Sequence, residues 1–353
     1  METKKIVILD GGIGHELKLR GVSDGTFVAG VLANEDCSAN NVVEAIHRDY
    51  LAAGCVVITT NSFVAVPQRM LECDLATNDS DSKRRASQLI IAAVNRARGA
   101  IAKHYENVEV DKRNKMIAVA GCIPPLTECY FSNKVPSSVE CLTPEYTVIL
   151  STLLECNVDI LLAETLSTTR EARAILRSLY CICQTGKHLI PPLWMSFTIH
   201  DDQPSKLRSD EPLDMVCQSI LREAAALNLP LEAVGINCST PSAISDAVKI
   251  LVKLVEGTGI KVCAYANCFK TTTSEWIKTV NDNANDSDDA CTAELRSEVE
   301  ICAKDYDEEG LTTDAYARFA LEWARSGAQI IGGCCGSRPK HMSKVATALK
   351  DFV

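Results

Sequence analysis

The chain has 353 residues, 46% of them hydrophobic and 23% charged, a globular composition with material for a large core. Lys and Arg number 36 against 46 Asp and Glu, leaving a net charge of −10; without a basic run this argues against nucleic-acid or anionic-membrane partners. No stretch approaches the roughly 18 apolar residues of a membrane span.

The first apolar run, 6–12, ends in Asp10-Gly11-Gly12. The run is too short for a signal-peptide core. A dinucleotide fingerprint beginning at Gly12 would need a third glycine at position 17, where Leu17 stands. A helical pattern at 41–53 puts Val42, Val43, Ile46, Tyr50 and Leu51 on one side and stops at Gly54. The second run, 56–62, closes on Asn61 and Ser62. A helix at 82–103 leads to the third run, 116–125. A helix at 144–156, capped by Thr143 with Pro144 at its first position, leads to the fourth run, 160–166. There Glu164 follows four apolar residues. A helix at 169–180 and a fifth run, 193–199, come next. His200 directly follows that run and reads as a loop or surface residue. A helix at 215–227 leads to the sixth run, 233–239, which carries Cys238 near its end. A helix at 242–256 and the seventh run, 261–268, follow, with Asn267 at the run's end. A polar, acidic stretch at about 279–310 reads as a solvated insertion, or as a lid over a site. A helix at 314–326, capped by Thr313, precedes the eighth run, 328–336, which ends in Gly333-Cys334-Cys335-Gly336.

Most of these runs are continuously hydrophobic, as strands buried on both faces of a parallel sheet are. Eight evenly spaced strands alternating with helices predict an α/β fold, a single (β/α)8 TIM barrel over residues 1–353. An open doubly wound sheet fits the count and spacing less well. In such a barrel function gathers at the C-terminal strand ends. That rule selects Asp10, Asn61, Glu164, Cys238, Asn267, Cys334 and Cys335.

Cysteine is abundant, at 17 residues. The odd count in a long chain without a signal segment predicts a cytoplasmic protein with reduced thiols, not a disulfide scaffold. Cys181 and Cys183 read as packing at a helix end. Cys238, Cys334 and Cys335 differ, because the sixth and eighth strands, close to each other around a barrel, would bring them to one mouth. Three sulfur ligands with an open fourth position are the pattern of a catalytic Zn2+ site, and sulfur argues against Mg2+ or Ca2+. The alternative is three unrelated core cysteines. Asp10 and Glu164 are either structural or groups that orient a polar, ammonium-bearing substrate. The six histidines are scattered, and no Ser/His/Asp arrangement is legible.

These motifs together resemble the homocysteine S-methyltransferase family. The matching stretches are Ile8-Leu9-Asp10-Gly11-Gly12, Thr60-Asn61-Ser62-Phe63, Leu162-Ala163-Glu164-Thr165, Gly235-Ile236-Asn237-Cys238 and Ile331-Gly332-Gly333-Cys334-Cys335-Gly336. The resemblance runs in order through nearly the whole chain. It implies Zn2+ held by Cys238, Cys334 and Cys335. It also implies that Asp10, the Gly11 backbone and Glu164 grip the amino-acid end of homocysteine, with Asn61 and Ser62 lining the pocket. Asn267 matches an asparagine that touches zinc when substrate is absent. Cys268 after it departs from the small residue common there, and the acidic 279–310 stretch is longer than the family's usual loop.

The implied reaction moves a methyl group from a cationic donor to the homocysteine thiolate, forming methionine. The chain lacks room for folate- and cobalamin-binding modules. Phe197-Thr198 and Leu207-Arg208-Ser209-Asp210 look closer to the sulfonium-using branch, so S-methylmethionine ranks first, S-adenosylmethionine second and betaine third. The partners are small molecules. A zinc hydrolase and a non-catalytic zinc or thiol barrel are the rival classes; the first would need a general base near Cys238, and none is evident.

Overall fold

The computed structural model describes residues 5–22, 27–106, 116–127, 129–270, 305–308 and 310–352. Its eight-stranded parallel sheet runs β1 (Val7–Ile8), β10 (Ile330–Gly333), β7 (Lys261–Ala266), β6 (Leu231–Asn237), β5 (Leu193–Phe197), β4 (Ile160–Leu166), β3 (Ala118–Ile123) and β2 (Val57–Thr59). A parallel bridge between Leu9 and Val57 joins β1 to β2 and closes the barrel. The expected (β/α)8 barrel is therefore present. A short antiparallel pair, β8 (Tyr306–Asp307) with β9 (Gly310–Leu311), precedes the last barrel strand.

The continuous hydrophobic runs have a direct cause: each strand buries both faces. One face lines the lumen, where Leu9, Val57, Ala120, Ile160, Leu162, Trp194, Ala233, Cys263, Tyr265 and Ile330 pack together. The other meets the helices, with Ile8, Ile58, Val119, Leu161, Met195, Val234, Ala264 and Ile331. Most strands are shorter than their apolar runs. β1 and β2 have two and three residues, because the last residues of each run leave the ladder and form the mouth.

The helices are α1 (Ile13–Leu19), α2 (Phe27–Leu32), α3 (Val42–Ala52), α4 (Pro67–Glu72), α5 (Asp79–Glu106), α6 (Val139–Glu155), α7 (Thr169–Cys183), α8 (Leu213–Ala226), α9 (Pro241–Leu254), α10 (Thr313–Ser326) and α11 (Pro339–Ala348). Two caps differ from expectation. The helix expected to start at Pro144 starts at Val139: the Ser138 side chain accepts from Cys141 N, and Pro144 lies inside the helix. Thr143 Oγ1 there donates to Val139 O at 2.8 Å and is no cap. The α10 cap is Thr312, one residue before Thr313. α1, α2, α4 and α11 have no counterpart in the sequence reading; the first three are seven residues or shorter. Most of the acidic 279–310 stretch lies outside the described residues. Among the described residues no helix is long and apolar enough to cross a membrane, and the described cysteines are free thiols.

Candidate metal and substrate site

The sixth and eighth runs deliver their thiols to one place. The Sγ atoms of Cys238, Cys334 and Cys335 all lie within 4.8 Å of one another, with Cys238 and Cys335 3.7 Å apart. The local backbone explains how. Cys238 leaves β6 in a left-handed conformation at φ 53°, and Gly336 makes the matching turn after Cys335 at φ 75°. Adjacent residues on a strand point to opposite faces; Cys334 and Cys335 escape this because β10 ends at Gly333. The segment is also anchored. Cys334 N donates to Ala266 O at 2.9 Å, and Cys268 N donates to Cys335 O at 2.8 Å.

Three soft sulfur donors at this spacing fit a thiophilic divalent ion such as Zn2+. Asn267 adds a second observation. Its residue is 3% exposed, and both amide atoms are buried without a hydrogen-bond partner. An unsatisfied buried amide at the β7 end, beside the thiols, suits a site built for another occupant. The Cys334 and Cys335 thiols donate toward Cys238 and hold its pKa well below the usual thiol value, while theirs rise.

Two carboxyls stand at the ends of β1 and β4. Asp10 is 2% exposed and accepts from Thr59 N at 2.8 Å and Thr59 Oγ1 at 2.9 Å. Burial pushes its pKa up to about 8; the Thr59 hydrogen bonds oppose the shift and the Glu164 charge adds to it. Glu164 Oε1 accepts from Cys122 Sγ at 3.2 Å. Burial raises its pKa to about 7, against the pull of the Cys122 hydrogen bond. A buried and a half-buried carboxyl, both raised, make a locus that a substrate ammonium would relieve.

The other expected residues play different parts. Gly11 has no room for a side chain: a Cβ there would lie 2.6 Å from Ser337 Oγ and 2.9 Å from the Tyr50 hydroxyl. Asn61 Nδ2 donates to Gly30 O at 2.9 Å, and its backbone carbonyl accepts from Asn34 Nδ2 at 2.8 Å. The Ser62 hydroxyl is 2.9 Å from Thr60 Oγ1. These two side chains brace the mouth's wall.

Tyr130, absent from the sequence candidates, stands 2.7 Å from Cys238 Sγ through its hydroxyl. The Arg208 guanidinium lies 5.5 Å from the Tyr130 ring centre and pairs with the equally buried Asp201 at 3.3 Å. The only sequence signal was an aromatic with a polar tip in a loop after a barrel strand.

The sequence model of the homocysteine S-methyltransferase family matches residues 7–349. Homocysteine S-methyltransferase YbgG of Bacillus subtilis (strain 168) is 26% identical, over 98% of this chain and 95% of its own. Homocysteine S-methyltransferase 4 of Zea mays is 25% identical, over 98% of this chain and 89% of its own. The homocysteine methyltransferase MmuM from Escherichia coli, in its metallated form, shares the fold with a TM-score of 0.70 and 21% identity, covering 98% of this chain and 97% of that one. A family match over nearly the full length, on a closed barrel with three converging thiols, places this chain among the methyltransferases of the homocysteine S-methyltransferase family.

Proposed function

We propose that this enzyme transfers a methyl group from a sulfonium donor, S-methylmethionine in first place and S-adenosylmethionine in second, to the thiol of L-homocysteine, giving L-methionine. The observation that carries the reading is the set of three Sγ atoms within 4.8 Å at the barrel mouth, with the buried Asp10 and the half-buried Glu164 at the ends of β1 and β4. Cys238, Cys334 and Cys335 would hold Zn2+, and the Asn267 amide faces the same end of the barrel. A free thiol has a pKa of about 8.5 and is mostly protonated at neutral pH; the metal's contribution when bound is to ionise the substrate thiol and keep it placed for attack.

The chain's own residues do the rest. Asp10 and Glu164, ionised once an ammonium arrives, hold the amino end of homocysteine, and the Gly11 backbone lies alongside. Asn61 and Ser62 keep the pocket wall in place. In the transfer the homocysteine sulfur forms a bond to the methyl carbon. The donor's sulfur–methyl bond breaks, and its electron pair returns to the donor sulfur, which becomes a neutral thioether. The homocysteine thiol proton passes to solvent water before attack. A mouth rich in thiolates and carboxylates attracts the cationic donor. Its partners are small molecules, and a cytoplasmic setting suits its reduced thiols.

The test is methionine formation, read by mass spectrometry, from homocysteine with S-methylmethionine, S-adenosylmethionine or betaine, with and without a zinc chelator. Chelator-sensitive methionine, fastest with S-methylmethionine, is the expected result. No methionine from any donor, in protein holding one zinc per chain, would move the chemistry to another thiol substrate.

A further inference from the structure

Asn237, the last residue of β6, is fully buried, and its amide is saturated. Oδ1 accepts from Thr165 N at 2.9 Å and from Ser196 Oγ. Nδ2 donates to Thr165 Oγ1 at 2.7 Å and reaches Cys334 Sγ at 3.8 Å. Tyr265 OH donates to Ser196 Oγ at 2.8 Å and extends the chain across the lumen. Because Thr165 N–H can only donate, the amide has one orientation, with its N–H edge toward Cys334.

The partner segment is unusual. Thr165 has φ 62°, a left-handed conformation that a β-branched residue adopts only when its surroundings impose it. The β4–β5 register shifts between Ala163 and Leu166, so β4 carries an irregularity at Glu164–Thr165. Such irregularities re-aim side chains. Here Glu164 meets Cys122 of the neighbouring strand β3. One amide thus clamps the irregularity that aims Glu164 and touches a thiol of the cluster.

We propose that Asn237 is a positioning residue that locks the Glu164 arm and the Cys334 thiol into one frame, setting the distance between the group that holds the substrate's amino end and the group that receives its sulfur. This rests on the homocysteine reading above. Homocysteine spans both groups, whereas the methyl donor need not. Weakening the clamp therefore acts on homocysteine and spares the donor.

The test compares Thr165→Ser, Thr165→Val and Asn237→Asp in the holoenzyme and in protein loaded with Co2+. Thr165→Ser keeps the hydroxyl and is expected within about twofold of the parent. Thr165→Val and Asn237→Asp both lose the bond between Nδ2 and Thr165 Oγ1 and are expected to raise the homocysteine KM about tenfold, as loss of a buried hydrogen bond does. The donor KM stays unchanged. Asn237→Asp alone also shifts the cobalt–thiolate absorption band, because only it alters the contact to Cys334.

Parent-like homocysteine KM in Thr165→Val overturns the proposal, as does an equal rise in both KM values with a lowered melting temperature, which marks a merely structural role. Should Asn237→Asp fail to fold, the Ser and Val variants still decide. If the parent protein binds no homocysteine, the functional reading fails, and the cobalt band still reports whether Asn237 touches the cluster.

Discussion

The Tyr130 hydroxyl lies 2.7 Å from Cys238 Sγ, tying the loop after β3 to the end of β6. A hydrogen bond onto a ligand sulfur orients the ligand, and loss of such outer partners weakens metal sites by about 10–100-fold. Tyr130→Phe keeps the ring that meets Arg208 and removes only the hydroxyl. Zn2+ loaded into this variant should be stripped by a competing chelator about tenfold more readily than from the parent. Parent-like zinc retention would show that the contact does not bear on the metal.

Cys238→Ser replaces a soft sulfur with a poor oxygen donor for the expected ion. Zinc should fall well below one per chain, and methionine formation by at least about 100-fold, more than loss of an outer partner alone costs. The barrel should persist, since Cys238 lies past the last ladder residue of β6. Metal analysis beside circular dichroism checks both. Full methyl transfer in this variant would sink the mechanism.

Asp10 is pushed by burial from the ordinary carboxyl value of 3.8 up to about 8 in the folded chain. The folded state therefore keeps a proton that the unfolded chain releases across that interval. This contribution is complete below about pH 4 and is lost as pH rises toward 8. Glu164 acts in the same direction up to about pH 7. Ligand-free protein should show a urea midpoint that falls from pH 5 to pH 8. Asp10→Asn should flatten the upper part of that fall while raising the homocysteine KM. A flat parent profile, or an unchanged KM in the variant, contradicts the placement of Asp10.

Much of this was legible because burial on two faces leaves continuous apolar runs. Ile160–Leu166 was bounded to the residue, and Glu164 and Asp10 stood out as carboxylates following such runs. The converging thiols were legible because strand order brings the ends of β6 and β10 near each other. Caps were less so: Pro144 looks like a helix start, but Ser138, six residues earlier, already offers a cap. Asn237 was hidden because an asparagine at a strand end looks like any turn residue. Its role depends on Thr165 and Ser196, distant in the chain. The shortness of β1 and β2 was hidden too, since hydrophobicity does not report where a strand leaves its ladder.

Gly11 shows how tightly the two halves of the mouth are joined. Ser337 Oγ, 2.6 Å from where a Gly11 Cβ would stand, donates to Cys334 O at 2.7 Å. Tyr50 OH donates to Ser337 O at 3.0 Å, and both Ser337 and Tyr50 are fully buried. Neither can step aside without disturbing the turn that carries Cys334. Gly11→Ala should therefore lower stability by about 1–3 kcal/mol, the usual range for overpacking, and reduce zinc content with it. Ser337→Ala removes the oxygen that a new methyl would strike. If the clash is the cause, the double variant should be more stable than the two single losses predict, a coupling that a double-mutant cycle measures directly. Simple additivity would mean that the Ser337 contact is not the cause and leave the Tyr50 hydroxyl, 2.9 Å from the same position, or the Gly11 backbone to account for the loss.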